Sequence, residues 1–92
     1  MLDRIASDRS SLVTDRIMVL VRAILEKRAI ARAVGRDDDL SACGISSLDT
    51  VNLMLAVEGE FELKIPDRDM TPTNFRTMAR IEAMVGTLLE HA

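Results

Sequence analysis

The sequence predicts an all-α protein, a small bundle of three main helices and one short helix with a long loop between helices 1 and 2. Three segments carry apolar residues at spacings of three and four, the period of a helix with one buried face. The strand-like alternation of residues 62–67 is brief and runs into Pro66. A chain of 92 residues, 48% of them hydrophobic, fits one compact domain.

The first helix is predicted over residues 12–34. Its large apolar residues share one face: Leu12, Val13, Ile17, Leu20, Val21, Ile24 and Leu25. Ser10 or Ser11 is the expected N-terminal cap, and Gly35 is the expected stop because glycine adopts the left-handed backbone that ends many helices. Residues 1–10 are expected to add a separate turn or a frayed extension.

A long loop is predicted over residues 35–46, which hold two glycines and three successive aspartates without a helical period. Loops of about twelve residues are uncommon and often functional. We expect Leu40 and Ile45 to turn inward and fix it. The aspartates are interpreted as a solvated loop, because a calcium loop needs alternating oxygen ligands and a distal glutamate.

The second helix is predicted to begin at the pair Ser46 and Ser47 and to end at Phe61. With Ser46 as cap, its side-chain oxygen accepts a hydrogen bond from the Asp49 amide while the Asp49 carboxylate reaches back, a weaker relative of the capping box. This arrangement leaves the Ser47 hydroxyl free. A helix N-terminus favours a phosphate group, although from these residues alone the favoured interpretation is two serines competing for one cap.

This helix has more apolar residues than one core face requires. A core stripe is predicted for Leu53, Met54, Val57 and Phe61, and a second stripe, rotated away from it, for Leu48, Val51 and Leu55. An exposed apolar stripe beside acidic residues is typical of a docking surface. The alternative is that neighbouring helices bury both stripes.

The remaining chain is predicted to form a loop, a single turn and a final helix. Leu63 and Ile65 are expected to point inward from the loop, and residues 67–70 to form one helical turn. The last helix is predicted from about Arg76 to Glu90, with Asn74 as its cap. Its predicted buried side consists of Met78, Ile81, Val85, Leu88 and Leu89.

Composition excludes several classes of protein. The single Cys43 has no partner for an internal disulfide, so we expect a reducing cytoplasm. The longest strictly apolar run, residues 17–21, is far shorter than the roughly 20 residues of a membrane span. Residues 37–92 hold four basic against eleven acidic side chains and two aromatics, which argues against nucleic acid and for a basic protein partner.

No catalytic or metal-binding residues are predicted. His91 stands next to the C-terminal residue, where chain ends usually fray, so a Ser-His or Cys-His pair is not expected. Glu58 and Glu60, two positions apart, face different sides of a helix. The chain has no glycine-rich phosphate loop and no zinc-site spacing.

The junction residues place the sequence beside a known family. Gly44-Ile45-Ser46-Ser47-Leu48-Asp49-Thr50-Val51, followed by Leu53, Phe61 and Ile65-Pro66-Asp67, resembles an acyl carrier protein. The family pattern is Gly-x-Asp-Ser-Leu, then a helix ending in Glu-Phe and a loop containing Ile-Pro-Asp. The agreement in order and spacing extends over about residues 41–85, and the whole chain, 1–92, is expected to be one carrier domain with its core at about 11–90.

The resemblance implies a covalent phosphopantetheine arm, taken from coenzyme A, on Ser47. It implies that cargo is carried as a thioester on this arm by a non-catalytic monomer. The implied partners are a phosphopantetheinyl transferase, an acyl- or amino acid-activating ligase or synthase, and downstream acyl-transfer enzymes. The implied partner-binding residues are Leu48, Asp49, Val51, Leu55 and Glu58.

Departures from the pattern point away from housekeeping fatty acid synthesis. Ser46 replaces the usual aspartate, and Asn52 stands where fatty-acid carriers commonly have glutamate. The residues 74–77 are similar to those of peptide-synthetase carriers. The free-standing size and long first helix resemble carriers served by amino acid:carrier protein ligases, and a specialised acyl or polyketide-type carrier is the other expectation.

A different class of function also fits the same apolar stripe. A small helical adaptor with an unmodified Ser47 would bind a partner helix through Leu48, Val51 and Leu55. Its partner binding would survive the substitution Ser47→Ala, whereas carrier function would not.

Overall fold

Three α-helices and two short 3₁₀ turns form the part of the chain described by this computed structural model, which covers the backbone of residues 2–90 and the side chains of residues 12–90. The helices are α1 (Leu2–Lys27), α2 (Ser47–Phe61) and α3 (Met78–Glu90), and the turns are Asp67–Asp69 and Thr73–Phe75. None of residues 2–90 lies in a β-strand. The all-α prediction is confirmed, but the chain has two short turns where the sequence predicted one.

Helix α1 begins and ends earlier than predicted. It starts at Leu2, so Ser10 and Ser11 lie inside it instead of capping it. It stops at Lys27, well before the predicted end at Val34. His91 lies outside the described residues.

A left-handed residue other than glycine ends α1. Ala29 has φ 57°, and its N–H donates to the Glu26 carbonyl at 3.0 Å. The Ile30 N–H donates to the Leu25 carbonyl at 2.8 Å, which completes a Schellman motif, and Ile30 packs against the core. The prediction of Gly35 as the stop is wrong because the chain already turns at Ala29, where the partly buried Ile30 packs against the core.

The connection between α1 and α2, residues 28–46, is fixed to the start of α3. The Leu40 N–H donates to the Arg76 carbonyl at 2.9 Å, and the Ala79 N–H donates to the Arg36 carbonyl at 3.0 Å. Leu40 and Ile45 are each 2% exposed, as predicted. The connection therefore reaches the start of α2 as a packed segment.

Gly44 is required where this connection passes Ile30. Its φ is 109°, a conformation that L side chains rarely adopt, and an added Cβ would lie 2.8 Å from the Ile30 Cδ1. The connection can therefore turn into α2 over Ile30 only with glycine at this position.

Two aspartates of the connection accept hydrogen bonds from other residues of the connection. Asp38 accepts a hydrogen bond from the Gly35 N–H at 2.8 Å, and Asp39 accepts from the N–H and hydroxyl of Ser41 at 3.0 and 2.6 Å. Across the described residues, no group of three or more His, Cys, Asp or Glu side chains is arranged to hold a metal ion. These carboxylates shape the loop.

The core lies between the three helices and is closed by the loops. All four residues of the predicted α2 core stripe are buried, as is Ile65, the predicted inward residue of the following loop. Arg16 of α1 lies over the Phe61 ring, 4.5 Å from its centroid, and pairs with Glu60 at 2.7 Å. The largest fully buried side chains are Ile17, Leu40, Leu53, Ile65, Met78, Ile81, Val21, Val57 and Val85.

Helix α3 starts two residues later than predicted. The Thr77 hydroxyl accepts from the Arg80 N–H at 3.1 Å, so Thr77 is the cap. Asn74 lies in the second 3₁₀ turn, where its side-chain amide donates to the Asp69 carbonyl at 2.8 Å. No helix among the described residues is long and apolar enough to span a membrane.

The buried face of α3 differs from the prediction at its C-terminal end. Leu89 is 40% exposed, and Met84, which was not predicted, is buried. Met78, Ile81 and Val85 are buried as predicted. The buried face therefore runs through Met84 and leaves Leu89 at the surface.

Candidate functional site

Two adjacent serines at the start of α2 have different roles. The Ser46 hydroxyl accepts from the Asp49 N–H at 3.1 Å, and the Ser46 N–H donates to the Asp49 carboxylate at 3.0 Å, which confirms the predicted capping box. Ser47 is the first residue of the helix and is exposed. No hydrogen bond to a described residue occupies its hydroxyl, because Ser46 has taken the capping role.

Arg28 fixes the start of α2 to the end of α1. Its Nη2 and Nε donate to the Asp49 carboxylate at 2.7 and 3.1 Å. Asp49 is 5% exposed, and the hydrogen bonds from Arg28 and the Ser46 backbone lower its pKa to about 2. The charged carboxylate therefore holds together the two chain segments that position Ser47.

Sequence reasoning missed Arg28, because the predicted helix 12–34 placed it in mid-helix. The signal was in the spacing: after Leu25 the next large apolar residues are Ile30 and Val34, five and nine positions later, which no longer fits a helical stripe. A helix ending near Lys27 would have placed Arg28 at a turn, free to reach another element.

The predicted second stripe of α2 faces solvent. Leu48, Val51 and Leu55 are 65%, 49% and 58% exposed. They occupy successive turns on one side of the helix, beginning beside Ser47. The structure therefore brings the exposed hydroxyl and an exposed apolar stripe together.

The two acidic residues predicted for this surface do not join the stripe. Asp49 points inward to Arg28, as described above. Glu58 is partly buried, and its carboxylate accepts from the Ile65 N–H at 2.8 Å, which fixes the loop after α2. Both carboxylates accept hydrogen bonds from within the domain and support α2.

A cleft of about 380 Å³ opens beside Ser47. It lies between the start of α2 and the second 3₁₀ turn. Its lining residues are Asp39, Ser41, Ile45, Ser47, Thr50, Pro72, Thr73, Phe75 and Arg76. The Ser47 hydroxyl therefore faces a space with polar groups and one guanidinium.

These features fit a covalently attached phosphate. A primary hydroxyl without a capping role stands at a helix N-terminus, where the first backbone N–H groups have no intrahelical acceptor and the helix dipole favours negative charge. A phosphodiester on Ser47 would extend into solvent and the adjacent cleft without displacing a core side chain. No described basic side chain is within hydrogen-bonding distance of the Ser47 hydroxyl.

Comparison with known proteins gives a consistent result. Residues 15–85 match the family described as "Phosphopantetheine attachment site". Aminoacyl carrier protein 1 of Bradyrhizobium diazoefficiens is 45% identical over 80 residues, covering 87% of this chain and 89% of the relative. Aminoacyl carrier protein 2 of the same organism is 40% identical over 73 residues, covering 79% and 82%.

Solved structures give the same result. The carrier fold is found in a crystal structure of Bradyrhizobium japonicum glycine:[carrier protein] ligase complexed with its cognate carrier protein and an analogue of glycyl adenylate. The match has a TM-score of 0.69 and 45% identity and covers 82% of this chain and 97% of the other. A second complex of that ligase, with glycylated carrier protein, matches with a TM-score of 0.67 and 44% identity over 78% of this chain and 97% of the other.

Proposed function

The chain belongs to the phosphopantetheine attachment site family of carrier proteins, and on that premise we propose that it is an aminoacyl carrier protein whose phosphopantetheine arm is attached to Ser47. Members of this family carry groups and do not catalyse the reactions themselves. The proposed carrier core is residues 11–90 of a single domain. The unpaired Cys43 supports a cytoplasmic location.

The observation that carries the site assignment is the division of roles between Ser46 and Ser47. Ser46 is fully engaged as the cap, and Ser47 presents an exposed hydroxyl beside it. In the attachment reaction the Ser47 oxygen loses its proton and forms a bond to the phosphorus of coenzyme A that carries the pantetheine. The bond from that phosphorus to the adenosine bisphosphate breaks, and this leaving group takes the electron pair.

The proposed cargo is an amino acid, held as a thioester on the thiol of the arm. This proposal is supported by relatives named aminoacyl carrier proteins at 45% and 40% identity and by solved complexes of a similar chain with a glycine ligase. A small amino acid such as glycine is the first candidate. A separate transferase would attach the arm, an amino acid:carrier protein ligase would load it, and downstream enzymes would remove the cargo.

The proposed docking surface for these partners is the exposed stripe of Leu48, Val51 and Leu55. It begins at the residue after Ser47, so a partner bound there meets the arm at its origin. When a partner covers apolar surface that is exposed in the free protein, the removal of that surface from water stabilises the complex. Asp49 and Glu58 would contribute by keeping α2 in place.

The test of attachment is the intact mass of the apo protein after incubation with coenzyme A and a broad-specificity phosphopantetheinyl transferase. The wild-type protein and the Ser46→Ala variant are expected to gain one phosphopantetheinyl group, and Ser47→Ala is expected to gain none. A gain on Ser47→Ala, or no gain on wild-type protein while a known carrier is modified alongside, would contradict the proposal.

The test of cargo uses the modified protein with ATP, the Bradyrhizobium glycine:[carrier protein] ligase and single amino acids. A mass increase of one glycyl residue, reversed by hydroxylamine, is expected because thioesters are cleaved by that nucleophile. Loading by fatty acyl synthetases but by no amino acid ligase would contradict the aminoacyl assignment and leave the attachment site intact.

A further inference from the structure

The cleft beside Ser47 holds one guanidinium that the core does not require. Its walls come from the start of α2 and from the second 3₁₀ turn, and they include Thr50, Thr73 and Phe75. Arg76 follows that turn directly and completes the lining. A group attached to Ser47 therefore enters a space that Arg76 also borders.

The ion pair that Arg76 makes is the loosest recorded among the described residues. Its Nε lies 3.3 Å from the Asp39 carboxylate, whereas the other three ion pairs measure 2.7 to 2.8 Å. The Arg76 side chain is 67% exposed, and no other side-chain partner is recorded for it in the described part of the chain. Exposed pairs of this kind contribute little to stability, so exchanging the partner costs little.

Asp39 has hydrogen-bond donors other than Arg76. Its other carboxylate oxygen accepts from the Ser41 N–H and hydroxyl at 3.0 and 2.6 Å. The Ser41 hydroxyl lowers the pKa of Asp39 more than Arg76 does. The carboxylate therefore stays hydrogen-bonded and charged if the arginine leaves.

A phosphodiester on Ser47 would supply a better partner for the guanidinium. It carries a full negative charge and two unesterified oxygens, and arginine forms bidentate hydrogen bonds with phosphate. The first N–H groups of α2 add donors on the same side. The attached group would thus be bordered by the helix N-terminus on one side and by Arg76 on the other.

We propose that Arg76 is the phosphate-binding residue of the modified protein: it leaves Asp39, binds the phosphodiester on Ser47 and holds the first part of the arm in the cleft. This inference rests on the proposed function. Asp39 then acts as the competitor that releases or recaptures Arg76. The proposal assigns the resting position of the arm to the cleft, whose lining includes no residue of the apolar docking stripe.

The experiment is solution NMR of the apo and modified protein with ¹⁵N-labelled arginine side chains. On modification the Nε–H resonance of Arg76 is expected to shift, while that of Arg68 stays unchanged. Arg68 is the matched control because it is exposed, lies on the other 3₁₀ turn and does not line the cleft. Intact mass first establishes that each sample carries the arm.

Two variants with opposite expected effects separate this role from a structural ion pair. With a ¹⁵N-labelled arm, the heteronuclear NOE of the arm amide nearest the phosphate is expected to fall in Arg76→Gln and to rise in Asp39→Asn, which frees the arginine while keeping an oxygen acceptor for Ser41. Arg68→Gln is expected to match wild type. If the pair were merely structural, both substitutions would act in the same direction or not at all.

The outcomes distinguish the two proposals. An arm of equal mobility in wild type, Arg76→Gln and Asp39→Asn, all shown by mass to be modified, would overturn the role of Arg76 and leave the carrier function standing. A wild-type protein that accepts no arm would overturn both. If Arg76→Gln does not fold, the absence of an increase in Asp39→Asn is sufficient to reject the proposal.

Discussion

The two faces of α2 carry similar residues but differ in exposure. On the inner face Leu53 and Val57 are completely buried. On the outer face Leu55 and Val51 are 58% and 49% exposed, although each stands only two to six positions from its buried counterpart. Leucine and valine thus occur on both sides of one helix, and the rest of the domain covers only one.

The difference in exposure separates the residues that stabilise the fold from those of the proposed docking stripe. Burial of apolar surface stabilises the fold by about 25 cal/mol for each Å² removed from water, and on folding this stabilisation comes from the inner face. The outer face stays in water, so burying its apolar surface would stabilise a complex with a partner. Substitutions on the two faces should therefore change different measured quantities.

The largest expected effect comes from truncating one leucine on each face. Leu53→Ala should reduce the free energy of unfolding by about 2–5 kcal/mol, because it removes a fully buried side chain and leaves a cavity. Leu55→Ala should change it by about 0.5 kcal/mol or less. Urea denaturation of the apo proteins measures both, and equal losses would mean that the outer stripe belongs to the core.

A charge on the outer face should affect partners instead of folding. Val51→Glu is expected to lower kcat/KM of the loading ligase about tenfold or more, because an apolar contact is replaced by a desolvated carboxylate. Val19→Glu on α1 is the matched control, since Val19 is 62% exposed and far along the chain from Ser47. Equal losses in the two variants would contradict docking through the α2 stripe.

Ser46→Ala should have a smaller effect and should leave loading intact. Loss of the cap is expected to reduce the free energy of unfolding by about 1 kcal/mol, because the Asp49 N–H loses its acceptor. Denaturation and intact mass, measured on the same preparation, check both parts. If Ser46→Ala abolished attachment at full stability, the roles of the two serines would have to be exchanged.

The Arg28–Asp49 pair makes stability depend on pH only in acid, and its contribution is constant near neutral pH. Arg28 holds the folded-state pKa of Asp49 at about 2, below its ordinary value of 3.8. The charged carboxylate therefore stabilises the fold above about pH 4, and this contribution is lost as the pH falls toward 2. In acid denaturation, Asp49→Asn should lack this part of the decline, and an unchanged profile would show that the pair contributes nothing.

The sequence predicted α2 more accurately than α1 because the signals for α2 are local. Ser46 and Asp49 are three positions apart and satisfy each other across one turn, so the capping box was visible without tertiary information. The end of α1 depends on Ile30 packing against the core and on Arg28 binding Asp49, 21 positions away. Gly35 was the better local stop, and long-range packing outweighed it.

The prediction of α3 from sequence was limited for the same reason. Asn74 was an adequate local cap, but its side chain bonds the preceding turn and Thr77 caps α3. Leu89 and Met84 both fit an apolar stripe within the helix, and the position of the other helices buries Met84. A helical period gives the direction of the buried face, and the neighbouring elements decide how far along the helix burial extends.

By itself the sequence determined the helical class, the capping box and the two apolar stripes, since each depends on residues within a few positions of one another. Ser47 became the candidate for modification through the resemblance to carrier proteins, which extends over about residues 41–85. The tertiary structure decided which stripe is exposed, where α1 ends, and which distant side chains surround Ser47. Arg28 binds Asp49 at the start of α2, and Arg76 borders the cleft beside Ser47, from positions 19 and 29 residues away from Ser47. Such contacts depend on how the helices pack, which no local pattern specifies.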